Sequence, residues 1–172
     1  MKKVIVTGGA GFIGSNLVKK LLDLNVEKLL IIDDLSTGNE SNISSIVSDE
    51  RVQFLNSKIE DIESINELFE DYDFCYHLAA GVGVQYIMDN LSESLLTNIL
   101  ATHKVLEACQ ANGLPVLLTS TSEVYGVAED DVWTEDTKSL IGPTTKLRWS
   151  YAASKMIDEF IALSLFEEGK VS

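Results

Sequence analysis

The segment Thr7-Gly8-Gly9-Ala10-Gly11-Phe12-Ile13-Gly14, placed directly behind the apolar Val4-Ile5-Val6, constrains this chain more than any other. Glycines at 8, 11 and 14 let a chain leave a strand, turn tightly, and pack the first turn of a helix against the strand just left. Phe12, Ile13, Leu17, Val18, Leu21 and Leu22 then recur at helical spacing. The next apolar run, Leu29-Leu30-Ile31-Ile32, is unbroken, as a strand covered on both faces requires. A strand, a glycine turn, a helix and a buried strand in that order commit the chain to a parallel sheet.

The remainder keeps the alternation. Polar residues from Ser36 to Asp49 predict a loop with one short helix, Val52 to Leu55 a third strand, Ile62 to Phe69 a short helix, and Phe74 to Leu78 a fourth strand. Leu91, Leu95, Ile99, Leu106 and Cys109 mark a long helix that stops near Gly113. Leu114 to Thr119 reads as a fifth strand and Trp149 to Phe166 as a last helix. With right-handed crossovers this is a doubly wound α/β domain of Rossmann type, three layers thick, spanning residues 1–172. Another strand is due where Gly169-Lys170-Val171-Ser172 ends the chain, so a shortened form of a longer protein is expected.

Charge excludes one class of partner. Thirteen Lys and Arg are scattered among 27 Asp and Glu, a net charge of -14, whereas nucleic acid calls for clustered cations. An anionic ligand must therefore be held by local geometry. Cys75 and Cys109 lack CxxC spacing and read as core thiols. No run approaches the length of a membrane span, and Met1-Lys2-Lys3 leads straight into a strand rather than a signal peptide; a cytoplasmic protein is expected.

The glycine turn opens a helix whose free N–H groups can hold a pyrophosphate without a side-chain cation. Asp33, about 20 residues beyond the first glycines at the end of the second strand, is placed to bond adenosine ribose hydroxyls and to repel a 2′-phosphate. Asp34 adds a second negative charge, and no Arg occurs between 34 and 50, which favours NAD over NADP. Tyr151 and Lys155 are four apart, on one face of the last helix. An ammonium beside a phenol lowers its pKa and makes it a usable base. Thr121, behind the fifth strand, could hydrogen-bond the hydroxyl or carbonyl on which Tyr151 acts, with Glu123 as a second acid or base. His77 reads as a structural residue.

Together, TGGAGFIG, IIDDLSTG, HLAA, STSEVYG and YAASK resemble the extended short-chain dehydrogenase/reductase family of nucleotide-sugar epimerases, dehydratases and decarboxylases, over essentially the whole chain. The resemblance implies NAD held by Gly8, Gly11, Phe12, Ile13, Gly14, Asp33 and the Ala79-Ala80 strand end, with Thr119 closing the fifth strand. It implies Thr121, Tyr151 and Lys155 as the catalytic trio. Asn98 matches the family's helical asparagine near the active site, and a packing role is its alternative. Where the family has Gly-Asp-Ile or Gly-Asp-Val to meet the adenine amino group, this chain has Ser57-Lys58-Ile59, leaving the backbone of Ile59 for that contact.

Thr121-Ser122-Glu123 and the run from Ile141-Gly142-Pro143 to Arg148-Trp149-Ser150-Tyr151 are similar to the UDP-glucuronate decarboxylases. That likeness implies oxidation at C4 of a UDP-hexuronate with loss of CO2, Tyr86 meeting the carboxylate, and Ser122 beside the substrate. A 4-epimerase or 4,6-dehydratase is the alternative within the family. A shortened module that binds NAD without turnover is the alternative of another class. The family's dimers, built from long helices, imply a homodimer to which Leu91, Leu95, Ile99 and Leu165 could contribute.

Overall fold

A computed structural model describes residues 2–81, 91–127 and 131–172, apart from the side chains of Leu91 and Glu93. Five parallel strands carry the architecture: β1 (Lys3–Thr7), β2 (Lys28–Asp33), β3 (Val52–Asn56), β4 (Phe74–His77) and β5 (Val116–Leu118), in the spatial order β3-β2-β1-β4-β5. Among the described residues four α-helices accompany them: α1 (Phe12–Asp23), α2 (Ile65–Phe69), α3 (Leu91–Asn112) and α4 (Trp149–Glu167). The chain is a Rossmann-type α/β domain.

The unbroken apolar runs have a direct cause. Side chains alternate across a strand, so consecutive apolar residues serve opposite faces. Val4, Val6, Leu29 and Ile31 join Val18, Leu21 and Leu22 of α1 in one core. Ile5, Leu30, Ile32 and Cys75 join Phe69 of α2 and Val105, Ala108 and Cys109 of α3 in the other. All four apolar residues of β2 are fully buried, each worth about 1.5–3 kcal/mol.

Register decides where a ligand can sit. Thr7 pairs with Ile32 on one side and His77 on the other, so β1, β2 and β4 end together at their carboxyl ends. The chain runs outward from β1 to β3 and then crosses back to β4, which makes the gap between β1 and β4 the switch point of the sheet.

Two elements fall well short of their sequence spans. The helix expected from Ile62 begins only at Ile65, behind a 3-10 turn at Ile59–Asp61. The fifth strand is Val116–Leu118, because β5 is bonded along one side by β4 and leaves Leu117 43% exposed. On its outer side the Val116 N–H donates to the Ser172 carbonyl at 2.8 Å, so the last residue of the chain lies beside this edge. The polar stretch after β2 holds one 3-10 turn, Glu40–Asn42, capped by the Asn39 side chain accepting from the Ser41 N–H.

Candidate functional site

A cleft of about 370 Å³ opens at the carboxyl ends of the strands, over the switch point. Its first wall is the turn from β1 into α1. Gly8 has φ +70°, and a Cβ there would stand 2.7 Å from the Ala79 nitrogen at the end of β4. A Cβ on Gly14 would stand 2.1 Å from the Gly8 carbonyl oxygen. Neither position has room for a side chain, and this closeness packs α1 onto the sheet. Gly11 differs: a Cβ there would meet only the Gly8 oxygen, at 3.3 Å. The first bond of α1 runs from the Ser15 N–H to the Gly11 carbonyl, which leaves the N–H groups of Phe12, Ile13 and Gly14 at a helix start that lines the cleft.

Asp33 closes this wall. Its Oδ2 accepts from the Ala10 N–H at 2.8 Å and its Oδ1 from the Leu35 N–H at 2.9 Å. The carboxylate thereby fastens the glycine turn to the end of β2 and keeps a free lone pair on each oxygen for a hydroxyl donor. Burial pushes its pKa up, against the two backbone bonds from Leu35 and Ala10 that favour the charged form. The turn is braced further by the Asn42 amide, which donates to the Ala10 carbonyl. Asp34, Lys58 and Ile59 also line the cleft, with Ser36, Thr37 and Gly38 between them.

The opposite wall is made of side chains. Ala79, Ala80, Asn98, Thr119, Tyr151 and Lys155 face the same cleft. Asn98, buried on α3, accepts from the Gly81 N–H at 2.7 Å and donates to the Ser154 hydroxyl at 3.4 Å, tying the end of β4 to α4. His77 is buried, its Nδ1 2.7 Å from the Thr7 hydroxyl and its Nε2 3.1 Å from the Thr102 hydroxyl. Burial, and then the nearby Lys155 charge, lower its pKa to about 3, so the ring is neutral.

One sequence expectation needs correction here. The Lys155 ammonium was to lower the Tyr151 pKa; instead the phenol is pushed up, first by burial and then by the charges of Glu123 and Asp158. Lys155 is taken up by Asp158, at 3.0 Å, with both side chains buried. The Thr121 hydroxyl caps the 3-10 turn Ser122–Tyr125 by accepting from the Glu123 N–H at 3.3 Å and keeps its own hydrogen to donate. Thr121, Ser122 and Glu123 are beside the cleft rather than among its lining. Tyr86 lies outside the described residues. Asp158 was missed altogether, although its place three residues after Lys155 and seven after Tyr151 puts it on their face of the helix.

Among the described residues, no cluster of His, Cys, Asp or Glu could hold a metal ion, and no helix is long and apolar enough to cross a membrane. Against known proteins, the chain is 34% identical over 98% of its length to the UDP-N-acetyl-alpha-D-glucosaminuronate decarboxylase of Bacillus cytotoxicus, covering 51% of it. Its fold matches a dTDP-glucose 4,6-dehydratase from Streptomyces venezuelae with NAD bound (TM-score 0.86, 29% identity, 98% of this chain and 53% of that one). It also matches a UDP-N-acetylglucosamine 4-epimerase from Methanobrevibacter ruminantium (TM-score 0.85, 32% identity, 96% and 51%). The chain thus spans about half the length of the relatives it matches. The family model for GDP-mannose 4,6 dehydratase runs through residues 5–171, from β1 through both walls of the cleft. That model covers the glycine turn, the buried Asp33 and the helix with Tyr151 and Lys155, all on one cleft, and the chain belongs to the GDP-mannose 4,6-dehydratase family, within the extended short-chain dehydrogenases/reductases.

Proposed function

We propose that residues 1–172 form the NAD-binding domain of a nucleotide-sugar enzyme that oxidises C4 of a UDP-hexuronate and releases C6 as CO2. One observation carries the reading: a single cleft has the glycine turn and Asp33 on one wall and Tyr151 and Lys155 on the other. The decarboxylase assignment is supported by Thr121-Ser122-Glu123 and by the uronate decarboxylase among the relatives.

The cleft suits NAD on its own geometry. The pyrophosphate belongs at the N–H groups of Phe12, Ile13 and Gly14, where the absence of a Cβ at Gly11 leaves room, and the adenosine ribose at Asp33. When bound, NAD supplies the acceptor, and later the donor, of a hydride at C4. Tyr151, once in its phenolate form, takes the C4 hydroxyl proton and becomes the neutral phenol as that carbon becomes a ketone. The ketone is β to the C6 carboxylate, so the C5–C6 bond breaks and its electrons pass into an enolate on the C4 oxygen. The Tyr151 hydroxyl then donates a hydrogen bond to that oxygen. Glu123, whose charge already acts on Tyr151, serves as the second acid or base near the sugar ring. Thr121 donates its hydroxyl hydrogen to the substrate while keeping its cap, and Ser122 and Tyr86 are assigned to substrate contacts. A 4-epimerase shares the cofactor, the tyrosine and the first step and differs only in keeping C6; the Methanobrevibacter epimerase supports that second reading.

The partner we assign is a second copy of the chain. α3 exposes Leu96 and Leu100, while α4, packed beside it, exposes Ile157, Phe160 and Leu163. Of the residues expected to contribute, Leu95, Ile99 and Leu165 are half-buried, and the Leu91 side chain lies outside the described residues. The free, buried thiols Cys75 and Cys109 suit a reduced cytoplasm.

Calorimetry with NAD tests the cradle, using Gly11→Val and Asp33→Ala as comparisons, followed by UDP-glucuronate with detection of CO2 and NADH. Binding that disappears in both variants, with CO2 released by the parent, is the expected result. Absence of NAD binding by the folded parent chain overturns the reading. Binding without CO2 but with an inverted C4 moves the assignment to the epimerase.

A further inference from the structure

Beneath the cleft lies a buried charge that the reaction above leaves unused. Asp158 is completely buried on α4, its Oδ2 accepts from Lys155 Nζ at 3.0 Å, and its Oδ1 makes no hydrogen bond. The Thr102 hydroxyl of α3, which also meets His77 Nε2 at 3.1 Å, lies close enough to favour the charged carboxylate. Burying an ion pair costs desolvation of both partners, and an apolar residue would pack α4 against α3 at less cost. Lys155 has to be here because it lines the cleft, and a bare ammonium with 2% exposure would be left uncompensated.

We propose that Asp158 is a positioning residue: it holds Lys155 in one place at the cleft floor, so that the charge acting on Tyr151 is that of an ion pair rather than a bare cation. This rests on Tyr151 and Lys155 being the proton-transfer pair. The surroundings of Tyr151 support it. Glu123 faces it from the turn after β5, and Asp158 and Lys155 from its own helix. α3 contributes the neutral Asn98 and Thr102, and β4 the neutral His77. Glu159, the remaining acid nearby, is bonded by the Ser120 hydroxyl. Burial, Glu123 and Asp158 all press the phenol to keep its proton. The pairing thus sets how basic the solution must be before Tyr151 can accept a proton.

The test needs neither cofactor nor substrate. In the whole chain labelled with 13C at the tyrosine ring carbon bearing the hydroxyl, NMR follows each phenol against pH, and Tyr151→Phe identifies the signal. Asp158→Asn removes the charge and keeps the shape; it should lower the Tyr151 midpoint by roughly one pH unit, and adding Lys155→Met should reverse that shift. Asp158→Glu, which restores a carboxylate, should leave the midpoint nearer the parent. An unmoved midpoint in Asp158→Asn, with a rise when Lys155→Met is added, overturns the role of Asp158 and leaves the Tyr-Lys pair standing. No movement in any variant removes the pair itself. Should Asp158→Asn not fold, Asp158→Ser takes away the same charge and is read in the same way.

Discussion

The two walls of the cleft are built by different means. On the β1–α1 side the parts are backbone: Gly8 and Gly14 come too close to neighbouring main chain for any Cβ, and Asp33 is held by two N–H groups. On the α3–α4 side the parts are side chains contributed by distant segments, from Thr7 and His77 through Thr102 to Asp158 and Lys155. The first wall depends on contacts between segments close in the chain, apart from Gly8 against Ala79, and has almost no tolerance of added volume. The second depends on buried polar groups satisfying one another, and its sensitivity is to charge and pH.

The hardest blow to this contrast would come from Gly14→Ala. Its methyl cannot be placed without moving the Gly8 carbonyl, 2.1 Å away, so α1 must shift off the sheet at a cost of about 3 kcal/mol or more. Urea unfolding of the variant measures it, and a loss below about 1 kcal/mol would mean that the turn can yield after all.

An intermediate effect sharpens the other wall. His77 has its pKa lowered to about 3 in the fold, against an ordinary value of 6.5. Between those values the unfolded chain binds a proton that the folded chain refuses, so the stabilisation is complete above pH 6.5 and drains away as pH falls toward 3. Replacing the ring by His77→Gln should flatten the decline of stability between pH 6 and 4 by about 1.4 kcal/mol per pH unit, read from urea midpoints at each pH. Parallel slopes for parent and variant would show that His77 is not the group that titrates.

The smallest effect belongs to neither wall. Lys2 pairs with Glu27 at 2.9 Å at the opposite end of the sheet, where both side chains are more than half exposed. Glu27→Ala should leave the urea midpoint and NAD binding unchanged, since such pairs are screened by solvent and salt. A loss of NAD binding there would show that the cleft is not insulated from the far end of the sheet.

How much of this could be read beforehand follows the same division. Glycines at 8, 11 and 14 followed by Asp33 announce strand, turn, helix and strand because each requirement is met within one stretch of chain. The spacing of Tyr151 and Lys155 likewise put both on one helical face, and both line the cleft. Asp158 escaped notice because Met156-Ile157-Asp158-Glu159 reads as an ordinary solvated helix turn. Only the packing of α4 on α3 distinguishes the buried Asp158 from the partly exposed Glu159. The same is true of the apolar outer face: periodicity pointed to Leu95 and Ile99, whereas Leu96 and Leu100 are the residues left exposed.

What the sequence determined by itself is therefore the parallel α/β order, the glycine turn with its acid, and the Tyr-Lys spacing, because short-range sterics and the period of side chains along an element settle those. The tertiary structure alone decided the burial of the Lys155–Asp158 pair and the neutrality of His77. Those depend on which polar groups are buried together, and burial is a property of elements packed in space rather than of neighbours along the chain.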